Sequence, residues 1–236
     1  MKKFLCVLIS AFCLTGCLCS CSDEKESSES TSIRISTAPL DEKLLGDWYN
    51  GTAGYRFGDN RKIGLIYNFS DRGHFTADGA LQTANALIPK ENVSYDGKKI
   101  YATNDAYNEE VGQVLTSVLI DMDRVDGENP DTLDGEYTIN GGIIVDVLTK
   151  ELGISAENLL FEGIVDGETL IITIVDAFDY EIVDGKIEIF SNIIQGIPDM
   201  DYTYAIDGDT LTMTYANTED MSGADMPAEV YTRFEH

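Results

Sequence analysis

Side chains able to ionise, attack or bind a metal are unevenly spread along this 236-residue chain, and their spacing excludes most chemistries. The densest oxygen cluster runs from Asp121 to Asp131, with Asp121, Asp123, Asp126, Glu128 and Asp131 around Gly127. Ca²⁺ prefers such ligands, but an EF-hand loop needs Gly at position 6 and Glu at position 12. Here Gly127 falls one place late, and Thr132 stands where the Glu belongs. The run therefore reads as a solvated acidic loop, with a weak extracellular Ca²⁺ site as the alternative. Only two histidines exist, His74 and His236, which leaves no His-based triad and no His-rich metal centre. His74 follows the turn Asp71-Arg72-Gly73 and reads as a strand-surface residue. Gly-x-Ser-x-Gly, a phosphate-binding loop and a dinucleotide fingerprint are all missing. Paired carboxylates could serve glycoside hydrolysis, but 42 acidic residues guarantee some pairing and single out none. No catalytic, cofactor-binding or metal-ligating residue is assigned, no cofactor is expected, and the chain reads as a non-enzyme.

The cysteines point elsewhere. All five lie at positions 6, 13, 17, 19 and 21, so the sequence beyond has no disulfide, thiol nucleophile or cysteine metal site. Met1-Lys2-Lys3 is a positive start, and Phe4 to Leu14 is an apolar stretch too short to span a bilayer. Leu14-Thr15-Gly16-Cys17 then resembles the lipobox of bacterial lipoproteins. The resemblance implies a signal peptide over 1–16, cleavage after Gly16 and a diacylglycerol on Cys17; Cys21 is the alternative attachment point. Two acyl chains suffice for stable anchoring, so the chain is expected at the cell membrane, lipid-anchored on its extracytoplasmic face. Residues 17–40 comprise the lipidated Cys and a Ser- and Glu-rich stretch too polar to fold. About 20 such residues form a tether with a reach of roughly 25 Å. The folded domain is expected over 41–236.

Charge narrows the partners. With 42 acidic residues against 16 basic ones, the chain carries −26. Nucleic acid is excluded, because its phosphates need Lys and Arg to displace counterions. An anionic membrane surface repels such a domain too, which leaves the lipid as the only membrane contact.

From residue 41 onward the recurring signal is Asp-Gly or Asn-Gly between short apolar runs, at Asn50, Asp78, Asp96, Asp126, Asp134, Asn140, Asp166, Asp184 and Asp207. These pairs accept the positive φ angles of tight hairpin turns. Leu65, Tyr67 and Phe69 alternate with Ile66, Asn68 and Ser70, and Leu211, Met213 and Tyr215 alternate with threonines. That is the pattern of antiparallel strands with one buried face. The fold class follows: mainly β, an antiparallel up-and-down meander closing into a barrel, with one or two inserted helices. The first helix is expected over 104–122, capped by Asn104, with Tyr107, Val111, Val114, Leu115, Val118, Leu119 and Met122 on one face. The second is expected over 143–152, with Ile144, Val147, Leu148 and Leu152 inward and Gly153 as its cap.

Gly46-Asp-Trp48 near the first strand and Arg233 near the last resemble the signature of the calycins, the lipocalins and their relatives. The resemblance covers roughly 44–80 and 200–234. It implies a lipocalin-like barrel in which Trp48 stacks under Arg233. The alternating strands at either end make Tyr67, Phe69, Tyr202, Tyr204, Met213 and Tyr215 the candidate lining of a ligand pocket, the alternative being that these rings stand on the outer face or at the rims. The leading expectation is a non-enzymatic, surface-tethered module that binds a small apolar ligand or envelope component. The second is a structural or protein-interaction domain whose barrel is filled by its own side chains, its protein partners unspecified. A carboxylate-based hydrolase comes third.

Overall fold

The computed structural model describes residues 39–83, 87–108, 112–152, 159–190, 199–216 and 227–235. Cys17, the expected signal peptide over 1–16 and nearly all of the expected tether over 17–40 lie outside them, as do Val111, Gly153 and His236.

Short turns set the meander. Six of the nine Asx-Gly pairs sit in connections of two to five residues between strands that are neighbours in both sequence and sheet. At Asp184-Gly185 both φ angles are positive, 51° and 76°, the mirror-image turn whose twist suits a hairpin. The barrel opens with β1 (Gly46–Tyr49), β2 (Ala53–Phe57) and β3 (Lys62–Asn68). It resumes with β12 (Thr169–Val183), β13 (Lys186–Phe190), β14 (Met200–Asp207), β15 (Thr210–Tyr215) and β16 (Glu229–Arg233). β3 pairs with β12, and β16 returns to β1 through Trp48 opposite Arg233. The result is an eight-stranded, closed, antiparallel barrel.

Between β3 and β12 the chain makes a long excursion. It forms a small sheet of β4 (Gly73–Phe75), β5 (Leu81–Thr83) and β6 (Leu87–Ile88). Next come β7 (Val93–Tyr95), β8 (Lys99–Asn108), β9 (Gln113–Arg124) and β10 (Gly135–Gly141). A helix, α1 (Ile143–Leu152), and β11 (Leu160–Asp166) complete it. Strands β11 to β7 add to the flank of β12 and extend the barrel wall as a flange. β12 serves both parts. Its first half pairs with β11 and its second with β13. The switch falls at a bulge over 175–177, where Asp176 has a φ of 53° and its carboxylate accepts from Asn60 Nδ2 at 3.1 Å. Bulges bend strands in this way.

One row of side chains crosses nine strands of the thirteen-stranded sheet: Ile100, Met122, Ile139, Phe161, Ile174, Leu65, Tyr55, Trp48 and Arg233, each opposite the next. All but Arg233 are buried, in a single apolar core that passes from the barrel into the flange. On the opposite face, Arg56 binds Asp47 through two bonds of 2.8 and 2.9 Å and reaches Glu162 on β11. Burial opposes the Arg56 charge and the two carboxylates more than offset it, so it stays protonated. A Cβ on Gly64 would sit 3.2 Å from that of Arg56, and its lack leaves Arg56 room to cross to the flange.

The expectation of a helix over 104–122 is corrected by the structure: its described residues, 104–108 and 112–122, lie in the β8–β9 hairpin, with Tyr107 opposite Val114 and Ala106 opposite Leu115. Gly112, at a φ of 65°, sits in the turn, and Val114, Thr116, Val118 and Ile120 are β-branched residues that favour strands. Asp121 and Asp123 would also have faced the negative end of a helix dipole. The second expected helix is present as α1, burying Ile144, Val145 and Leu148, while Val147 is half-buried. A further correction concerns β3: Ile66, expected on the outer face, is as buried as Leu65 and Tyr67.

Candidate functional site

The barrel interior has two ends with different chemistry. At the end where β1 begins, residues 41–45 cross the opening and Leu44 is fully buried. Trp48 Nε1 donates to the Leu44 carbonyl at 2.6 Å. The Arg233 guanidinium lies 4.3 Å from the centre of the Trp48 ring and donates to the carbonyls of Leu45 and Lys43, both at 2.8 Å. Gly46 completes the clasp: at its φ of 107° a Cβ would stand 3.0 Å from Arg233 Nη1. The three signature residues thus act together, and their contacts are those of a structural closure. Nearby, Tyr180 donates to the Gly58 carbonyl at 2.9 Å and Tyr204 to Asp41 at 2.9 Å. Every polar tip named at this end has a partner within the chain.

At the other end, tyrosines converge. Tyr55 and Tyr231 pack edge-on at 5.5 Å between centroids, and so do Tyr202 and Tyr215. Tyr67 and Met213 are buried in the same core. Glu229 alternates with Tyr231 and Arg233 on β16, which turns it inward, and it accepts from the Tyr231 hydroxyl. Four of the six residues expected to line a pocket meet here: Tyr67, Tyr202, Met213 and Tyr215. Tyr204 belongs to the clasped end, and Phe69 lies past the end of β3, facing Gly73. Tyr55, Tyr231 and Glu229 escaped notice in the sequence. The signal that could have found them is parity with Arg233 and Phe57, since alternate residues share a strand face.

Burial pushes the hydroxyls of Tyr55, Tyr202 and Tyr231 well up, helped by the negative charge of Glu229. Burial also pushes Tyr180 and Tyr204 up to about 12. The folded state therefore keeps protons that the unfolded chain releases near pH 10. The stability these tyrosines contribute is fully present below about pH 10 and is expected to fall as pH rises toward the folded values, because the native state then binds more protons. Absorbance at 295 nm alongside urea unfolding checks this; full tyrosine ionisation near pH 10 in a still-folded protein would contradict it.

The acidic loop is built around an arginine. Arg124, its side chain only 5 % exposed, donates to both oxygens of Asp126 at 2.6 and 3.1 Å. It also donates to the carbonyls of Thr132 and Asp134 and to the Tyr95 hydroxyl. Lys98 pairs with Glu128, and Lys99 with Asp121. These oxygens face cationic side chains, and among the described residues no group of three or more acidic, His or Cys side chains is placed to hold a metal. His74 Nδ1 lies 2.8 Å from the Ser70 carbonyl, a local turn contact. Comparison with protein-family models, curated proteins and solved structures yields no match.

Proposed function

We propose that this chain is a non-enzymatic, lipid-anchored module on the extracytoplasmic face of the cell membrane, which works through protein contacts on its outer surface. The observation that carries the reading is the burial of most side chains that face the barrel interior. A hollow wide enough for a ligand leaves accessible area on its lining, whereas Trp48, Tyr55, Phe57, Leu65, Tyr67, Ile172, Tyr180, Leu211, Met213 and Tyr231 are all buried. Barrels of eight strands either fill their interior or hold one small molecule. The clasp of Gly46, Trp48 and Arg233 supports kinship with the calycins, and the Leu14–Cys17 segment supports the anchor. Among the described residues no helix is long and apolar enough to cross a membrane.

A small apolar ligand is the second reading, favoured by the tyrosines and Met213 gathered beside Glu229. A panel of fatty acids, isoprenoids and aromatic dyes separates the two. A ligand at 100 times its Kd adds about 2.7 kcal/mol, or roughly 5–10 °C in Tm for a domain of this size. No shift is expected; a shift of that size would transfer the function to the barrel interior. For the anchor, Cys17→Ala is expected to abolish fatty-acid labelling and membrane association, and Cys21→Ala to preserve both. Label retained in the Cys17 variant would move the anchor to Cys21.

A further inference from the structure

Among the described residues, the flange ends in an arm that its neighbours leave bare. β7 covers β8 only along Ile100–Ala102, and β10 covers β9 only along 121–124. Beyond those points, 103–108 and 113–118 pair only with each other. Gln113 to Ser117 are exposed, with Val114 at 58 % and Leu115 at 42 %.

An open strand edge is a template for another strand, and proteins blunt such edges with charges or proline. The β8 edge is blunted by Asn104 and Asp105. The β9 edge is not: from Gln113 to Val118 it reads Gln-Val-Leu-Thr-Ser-Val, with no charge and no proline. Uncharged, β-prone segments of this length pair readily. In a chain of −26, six uncharged residues, 113–118, on an edge that no other described strand pairs mark a surface suited to being covered.

We propose that the β9 edge, centred on Leu115 and Thr116, pairs antiparallel with the same edge of a second copy of this chain; this rests on the reading of the protein as an interaction module. Antiparallel edge pairing about a two-fold axis is isologous, so one edge supplies both halves of the interface. Backbone bonds provide the attraction without complementary side chains. Being uncharged, the edge meets its copy without the repulsion that acidic surfaces would impose. Two copies anchored in one membrane also meet at a raised effective concentration.

The test uses the full lipidated chain in its membrane, with Cys19→Ser, Cys21→Ser and Ser117→Cys, treated with a short bis-maleimide. Acylation of Cys17 then leaves residue 117 as the only free thiol of the mature chain. The expected product is an adduct of twice the monomer mass. Thr203→Cys, exposed on the barrel wall, replaces Ser117→Cys as the control and is expected to yield about tenfold less. Adding Leu115→Glu to Ser117→Cys is expected to cut the adduct about tenfold at unchanged Tm, since a charge blunts the edge. Monomer alone, in a protein whose Ser117→Cys thiol accepts a mono-maleimide, overturns the proposal, as do equal yields from Thr203→Cys. An adduct of any other mass overturns self-pairing while preserving the interaction module.

Discussion

Replacing Trp48 with alanine is expected to cost about 3–5 kcal/mol, the range for removing a buried Trp or Phe. In a domain of this size that lowers Tm by roughly 6–20 °C. Three losses combine. The ring is fully buried in the row that crosses the sheet. Its Nε1 holds the Leu44 carbonyl, which closes one end of the barrel. Its face also carries Arg233, whose cation–π contact is worth about 0.5–2 kcal/mol. Trp48→Phe keeps most of the area and forfeits the Leu44 bond, so it should fall between wild type and Trp48→Ala. Arg233→Ala should cost less than Trp48→Ala, because Arg233 is only half-buried. Equilibrium urea unfolding orders the three variants. If Trp48→Ala costs less than 1 kcal/mol, the clasp does not close the barrel.

The second large effect is expected at Arg124. Arg124→Ala strips the loop over 125–134 of its organising cation and leaves Asp126 and two carbonyls without their donor. Losing a part-buried, multiply bonded cation of this kind costs roughly 1–3 kcal/mol. Arg124→Lys should recover little, since an ammonium cannot reproduce the planar fork that binds Asp126 through two bonds. Hydrogen exchange should localise the damage to 95–98 and 125–134, where the Asn129 amide bonds the Gly97 carbonyl. Damage spread evenly through the barrel instead would show that Arg124 does not organise the loop.

Much of this architecture was legible in the sequence, for local reasons. Asx-Gly turns carry their geometry in two residues, so the meander could be read from them. Trp48 and Arg233 could be matched across 185 positions only because the resemblance supplied a partner that no local pattern offers. The β8–β9 hairpin misled because two periods coincide: Val114, Leu115, Val118, Leu119 and Met122 fit a helix face, yet Ile120 and Met122 also alternate as a strand. Tertiary pairing decided it. The tyrosine end was half legible. Tyr67, Tyr202 and Tyr215 sit in clear alternating strands, whereas Tyr55 and Glu229 lie in short strands whose faces become plain only once Arg233 is placed. Arg124 was hidden by its surroundings, since a lone cation within an acidic run reads as solvated until the chain folds around it.

The most direct measurement is a crystal of the protein held under xenon, which settles into empty apolar space large enough to bind it. The filled barrel leads one to expect no xenon among Tyr55, Tyr67, Tyr202, Met213 and Tyr231. Well-occupied xenon sites between those rings would contradict a filled interior and return the function to a ligand held there.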